Sequence, residues 1–220
     1  MTITDKDLSI RAGRGRRRGF DKMKVLDIAM DVFWHFGYEG TSITDLTSAT
    51  KLSPTSLYAA FGSKEKLYRE ALKHYGSGKG AFTTDLMTLD GTAREAISSV
   101  LSKCAECFTN SEKARGCMIA TAIVTDTDEN AAISHHLSTL RRHAMMTFVG
   151  RIEAAISTGE LPGTTNPESV ARFFEGIIQA MSIQAKDGAS YNDLKILQKM
   201  AIDAWDVVIT SSSDTSSYVN

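Results

Sequence analysis

From Val25 onward the apolar residues return at the spacing of an α-helix, and nowhere do they alternate as a half-buried strand requires. Val25, Ile28, Ala29, Val32, Phe33 and Phe36 fall at offsets 0, 3, 4, 7, 8 and 11, one stripe along a helix that spans Asp21 to Phe36. Thr92 with Glu95 forms a capping box that opens a helix with Ala93, Ile97, Val100, Leu101, Cys104 and Phe108 on one face. A long helix from Glu129 to Thr158 carries Ile133, Leu137, Leu140, Ala144, Phe148, Ile152 and Ala155, and Gly159 ends it. Asn166 and Pro167 start the next, which buries Val170, Phe173, Phe174, Ile177, Ile178, Met181 and Ala185 before Gly188. Ser190 caps a last helix with Leu194, Leu197, Ala201, Ala204, Trp205 and Val208. The nearly all-apolar run Cys117 to Val124 reads as a short buried helix. The expected fold is therefore all-α, with about nine helices.

The front of the chain is punctuated more closely. Gly37 stops the first helix, and Ser42 caps a short one that turns Ile43, Leu46 and Ala49 inward. After the break Lys51-Leu52-Ser53, the N-cap Ser53 and Pro54 at the first helical position start a two-turn helix, Pro54 to Phe61, anchored by Leu57 and Phe61. Gly62 ends it, and Ser63 caps a fourth helix that buries Leu67, Ala71 and Leu72. Two short helices joined by a three-residue turn and braced by a longer helix in front form a helix-turn-helix. The outer side of the second short helix carries Thr55, Ser56 and Tyr58 instead of apolar bulk, a surface suited to the base edges of a DNA groove.

Composition adds exclusions. The 220 residues are 42% apolar and 23% charged with only three prolines, which excludes wholesale disorder and collagen-like or mucin-like architectures. No apolar run is long enough to span a bilayer, and the first 20 residues lack a signal-peptide core. Three cysteines make no disulfide framework, so the expected compartment is the reducing cytoplasm. The net charge of −1 divides unevenly, +4 over residues 1–75 and −5 over the rest. Five arginines (Arg11, Arg14, Arg16, Arg17, Arg18) form a basic arm ahead of the first helix, a pattern that favours a polyanion at that end.

Residues 21–75 resemble the N-terminal domain of the TetR family of transcriptional regulators. The features that carry the resemblance stand in order: Ile28-Ala29 and Phe33, then Phe36-Gly37-Tyr38, Gly40-Thr41-Ser42 and Ile43-Thr44-Asp45-Leu46. Leu52-Ser53, Leu57-Tyr58, Phe61 and Ser63-Lys64-Glu65-Lys66-Leu67 follow. The chain departs from the family pattern at Leu46-Thr47, at Lys51 where a glycine is usual, and at Ala59 and Ala60 where aromatic or histidine residues are usual. The resemblance implies that Pro54 to Phe61 enters the major groove. Tyr58, Lys64, Thr41, Ser42 and Thr44 would then meet phosphates. Ser53, Pro54, Thr55 and Ser56 would form the leading end, with base readout resting on Thr55 and Ser56. Arg14, Arg16, Arg17 and Arg18 would follow the backbone or enter the minor groove, as basic arms do.

The expected organisation is an arm (1–18), a DNA-binding domain (19–78, helix-turn-helix about 42–61), a helical sensing and pairing domain (79–212) and a Ser/Thr-rich tail (213–220). Phe174 and Ile178, and Ile202, Val207 and Ile209, widen the apolar faces of the last two helices beyond one stripe, so both must be covered on two sides. In the family those helices usually pair across a twofold axis, which implies a homodimer with Phe173, Ile177, Met181, Leu197, Ala201, Trp205 and Val208 in the contact and a palindromic operator. The expected function is a sequence-specific regulator, most often a repressor, released by a small-molecule inducer. Cys104, Cys107, Phe108, Cys117, Met145, Phe148 and Phe174 are the candidate pocket.

The cysteines admit two readings. Cys104 and Cys107 share a helix face, and all three thiols fit small core positions as well as sensors of oxidants or electrophiles. Cys117 gains from the second reading if it opens a helix whose dipole favours thiolate. His135, His136 and His143 read as solvated or hydrogen-bonded, and Met118, Met145, Met146, Met181 and Met200 as core filling or the lining of an adaptable pocket. Gly76 to Gly80 lacks the features of a phosphate loop and reads as a break between domains. No acid–base pair, metal cluster or cofactor motif supports an enzyme. A DNA architectural protein, with affinity but no sequence preference, is the remaining rival.

Overall fold

The computed structural model describes residues 20–81, 86–110, 116–122, 125, 127, 128 and 130–213. The arginines of the arm and residues 214–220 lie outside that set. All regular structure among the described residues is helical: α1 (Lys22–Phe36), α2 (Ile43–Thr50), α3 (Pro54–Phe61), α4 (Lys64–Ser77), α5 (Ala93–Thr109), α6 (Ala131–Ser157), α7 (Pro167–Lys186), α8 (Tyr191–Asp203) and α9 (Trp205–Ser213).

Local chemistry sets the helix starts. Asp21 accepts from the amides of Met23 and Lys24, Ser53 from Ser56, Ser63 from Lys66 and Asn166 from Ser169, so each cap satisfies donors that have no partner inside the helix. Complete capping boxes join Ser42 with Asp45, Thr92 with Glu95 and Ser190 with Asp193. The long helix starts at Ala131 without a side-chain cap, its N-cap Asn130 being in helical rather than extended backbone conformation, and the Asn130 side-chain amide donates to the Glu39 carboxylate at 2.6 Å.

Helices α1 and α4 pack together over a core of Val25, Ala29, Phe33, Leu67, Tyr68 and Leu72, with Leu46, Leu57 and Phe61 closing it from α2 and α3. Phe33 meets Tyr68 edge-on with centroids 4.9 Å apart. Burying each such side chain contributes about 1.5–3 kcal/mol. The buried stripe of α1 is rotated from the one the sequence predicts: Leu26, Met30 and Trp34 are inside and Phe36 is exposed. The reason is tertiary, since Trp34 packs on Tyr75 at 5.0 Å and draws that side of α1 toward the rest of the molecule.

Behind this unit, α5 and α7 form the centre of the body, flanked by α6 and α8. Cys104, Phe108, Phe148, Phe174 and Met181 are fully buried there.

Two expected elements are corrected. Cys117 does not open a helix running to Val124. Residues 118–121 make one turn, closed by the Thr121 amide on the Cys117 carbonyl at 3.1 Å, and Ile123 and Val124 lie outside the described residues. Arg141 donates to the carbonyls of Ile119 and Ala122, which removes the acceptors a continuing helix would use. The last helix is also not continuous but breaks at Ala204. There Arg94 of α5 donates to the Ile202 carbonyl at 3.2 Å, and Trp205 is buried against Phe174 with ring centroids 5.4 Å apart.

Candidate nucleic-acid interface and sensing cavity

The turn between α2 and α3 runs through Lys51, whose φ of 59° is left-handed. Glycine is the residue for which that conformation is least costly, which accounts for the glycine usual at this place in the resembling family. The turn presents the start of α3 outward. Ser53, Pro54 and Thr55 are exposed, Tyr58 is 43% exposed, and Leu57 and Phe61 point into the core. Ser56 is half-buried, and its hydroxyl accepts from that of Ser53 at 2.9 Å.

At the start of α2, Ser42 and Thr44 are exposed. The Ser42 hydroxyl donates to Asp45 at 2.6 Å. That hydrogen bond and the Ser42 amide hold the Asp45 carboxyl below its usual range. Thr41 does not face outward as expected: it is fully buried, and its hydroxyl donates to the Gly37 carbonyl at 2.6 Å. Its role is to fix the loop between α1 and α2. Lys64 opens α4 with its ammonium 4.5 Å over the Tyr38 ring, a contact that steadies a cation placed against the helix dipole.

Among the described residues, side-chain hydrogen bonds fasten the helix-turn-helix unit to the body. The Trp34 indole donates to the Gly116 carbonyl at 3.1 Å. Glu39 accepts from the Thr125 hydroxyl and the Asn130 amide. Arg69 donates to the Ala132 carbonyl at 2.8 Å. Gly116 has φ +76°, and a Cβ there would lie 2.5 Å from the Ser182 carbonyl oxygen, so no other residue fits without displacing α7. Its neighbour Cys117 donates its amide to the Ser182 hydroxyl at 2.6 Å.

Beside that junction lies a cavity of about 320 Å³ between α4, α6, α7 and the 116–122 segment. Leu72, Tyr75, Ile119, Ala120, Leu140, Ala144 and Ile178 make an apolar floor, and Lys73, Arg141, His143, Thr147 and Glu175 supply polar groups. Of the residues the sequence suggested for a pocket, Cys117 alone lines this cavity. Cys104, Phe108, Phe148 and Phe174 are core instead, Met145 lines an outer cleft between α6 and α7, and Cys107 is half-buried. His143, read as solvated or hydrogen-bonded, is exposed and also lines the cavity. The period of α4 held a signal for Tyr75, since Tyr68, Leu72 and Tyr75 repeat at i, i+4 and i+7.

The thiols are not activated. Burial pushes Cys104 well above the ordinary cysteine range and raises Cys117 and Cys107 too. At Cys117 the Tyr75 hydroxyl and the Ala120 amide act in the opposite direction without cancelling burial. The dipole effect expected at Cys117 is absent because no helix starts there.

Of the residues expected in a subunit contact, Met181, Ala201 and Trp205 are buried within the protomer and serve its own core. Phe173 is exposed, and Ile177, Leu197 and Val208 are half-buried. Ile196, Met200 (64% exposed) and Val207 (68% exposed) extend that apolar surface and were not in the expected set.

A helix-turn-helix with a small, hydroxyl-rich second helix, carried on a larger helical body, is the arrangement of a DNA-binding transcriptional regulator. Residues 25–71 match the family described as bacterial regulatory proteins, tetR family, and residues 91–190 match the tetracyclin repressor-like C-terminal domain. The chain is 32% identical over 205 residues to the HTH-type transcriptional repressor ComR of Escherichia coli (strain K12), covering 92% of this chain and 97% of ComR. It is 28% identical to the HTH-type regulator YezE of Bacillus subtilis (strain 168), covering 82% and 94%. Among solved structures, a cysteine-substituted form of the TetR family transcriptional regulator CifR, complexed with 26-bp double-strand operator DNA, superposes with a TM-score of 0.82 at 39% identity, covering 86% of this chain and 99% of that one. The protein belongs to the TetR family of DNA-binding transcriptional regulators.

Proposed function

We infer that the protein acts in the cytoplasm as a homodimeric repressor that binds a palindromic operator and is released by a small molecule entering the cavity beside α4. The observation that carries this reading is the composition of the cavity wall. Lys73, Tyr75 and Gly76 belong to α4, the helix that braces the helix-turn-helix, while Arg141 and Glu175 belong to the body. A ligand there contacts both units, so it can favour one relative orientation of them over another.

Ser53, Pro54, Thr55 and Ser56 lead α3 into the major groove. Tyr58, Ser42, Thr44 and Lys64 contact phosphates, and Arg14, Arg16, Arg17 and Arg18 extend that contact along the duplex. The outer apolar surface of α7, α8 and α9 pairs with its symmetry copy. Twofold pairing sets two recognition helices roughly 34–36 Å apart, one turn of duplex.

Selection of bound fragments from random and genomic DNA at two salt concentrations tests this. The expected result is an enriched palindrome that tolerates the higher salt. Binding without enrichment that collapses with salt would replace the reading with an architectural role.

A second reading is favoured by the place of Cys117, the cysteine at the cavity wall: its oxidation or alkylation would act as the input. It predicts that Cys117→Ser keeps operator affinity and loses release by oxidant. Normal release from that variant ends the reading.

A further inference from the structure

The cavity beside α4 is apolar at its floor and positively charged around its wall. Lys73 and Arg141 stand there against one carboxylate, Glu175. Among the described residues, no ion pair involves Lys73, Arg141 or His143. Arg141 is half-buried and is fixed in place by donating from one terminal nitrogen to the Ile119 and Ala122 carbonyls at 3.3 and 3.4 Å. Those carbonyls orient the guanidinium but do not neutralise it, and its other N–H donors stay available for a planar acceptor pair. Glu175 accepts the Gln179 amide on one oxygen at 2.5 Å and keeps its charge, so two cations against one carboxylate leave the wall net positive. Burial raises the Tyr75 hydroxyl, already neutral at its ordinary value, further above that range, so it adds no negative charge to the wall. A half-buried cation that is not held in an ion pair, in a wall of net positive charge, favours an anion over a neutral ligand of the same shape, and the apolar floor favours a hydrocarbon body.

We propose that the cavity takes a small amphipathic carboxylate, with its carboxyl group on Arg141, Lys73 at the rim, and its hydrocarbon body against Leu72, Ile119, Leu140 and Ile178. This rests on the reading of the cavity as the inducer site and specifies the chemistry of what fills it.

The test uses purified full-length protein and matched pairs of probes: benzoate with benzamide, and straight-chain carboxylates of four to ten carbons with their amides. Binding is measured by calorimetry and by the rise in thermal midpoint, in the wild type and in the Arg141→Gln and Lys73→Gln variants. At least one carboxylate should bind ten-fold or more tightly than its amide. Arg141→Gln should abolish that preference, bringing acid and amide to equal affinity, and Lys73→Gln should reduce it several-fold. Because Arg141 also holds the 116–122 segment, the exposed Lys73 keeps the test decisive if Arg141→Gln does not fold. Equal binding of acid and amide that is lost in Ala144→Phe, which fills the floor, would overturn the carboxylate assignment and keep the inducer site. Carboxylate binding untouched by Ala144→Phe would overturn both. The absence of binding by every carboxylate would overturn the assignment.

Discussion

In the proposed docking, phosphate contact and base readout fall on two single side chains, Lys64 and Thr55. The Lys64 ammonium is held over Tyr38 at the opening of α4, whereas Thr55 is exposed in the first turn of α3. Lys64→Ala should therefore weaken all DNA sequences alike and lower the slope of log affinity against log salt by about one, while Thr55→Ala should relax preference at one or two base positions. Fluorescence titrations against the selected operator and a scrambled duplex at several salt concentrations distinguish the two, and an interchange of the effects would reverse the assignment. The resemblance of residues 41–44 to the family made Thr41 look like a phosphate contact. Side-chain direction decided otherwise: with its hydroxyl given to Gly37, Thr41 closes a loop, and no local spacing distinguishes that from an outward-facing threonine.

The elements follow their caps closely. Ser53 and Pro54 begin α3 where the sequence puts them, and Ser53→Ala should cost about 1 kcal/mol, read as a lower thermal midpoint. The capping boxes also make stability depend on pH. The Ser42 hydroxyl, then its amide, hold Asp45 below its ordinary 3.8, and Ser190 does the same for Asp193. A carboxyl whose folded value is lowered gives its stabilisation fully above the ordinary value and loses it as pH falls through the lowered one. Thermal midpoints measured downward from pH 7 should fall below about pH 4, and Asp45→Asn should flatten part of that fall; an unchanged profile would show that the box contributes nothing. Elements shaped by distant partners were less legible. The run Cys117 to Val124 is apolar enough for a helix, but Arg141, more than 20 positions from Ile119, takes its carbonyls. The break at Ala204 likewise depends on Arg94, 108 positions from Ile202.

At the scale of the whole molecule, the link between the helix-turn-helix unit and the body includes the hydrogen bond from the Trp34 indole to the Gly116 carbonyl. Trp34→Phe keeps an aromatic ring against Tyr75 but removes the donor to the Gly116 carbonyl, and leaving that acceptor unpaired should cost about 1–3 kcal/mol. The expected outcome is a lower thermal midpoint and a weaker coupling between ligand and operator, measured as the ratio of operator affinities with and without inducer. The outer face of α8 makes a separate prediction. Met200→Glu with Ile196→Glu, both exposed, should halve the mass in sedimentation velocity with little change in protomer stability; an undisturbed dimer would move the contact elsewhere. Periodicity and caps depend on residues within a few positions of one another, and so the sequence alone settled the all-helical fold, the helix-turn-helix and the start of its recognition helix. The cavity beside α4, the rotation of α1 that buries Trp34, and the division of the last two helices into core and outer faces were decided by the tertiary structure. Each depends on pairs such as Tyr75 with Cys117 or Trp34 with Gly116, whose meeting is set by how the helices pack and leaves no trace in local spacing.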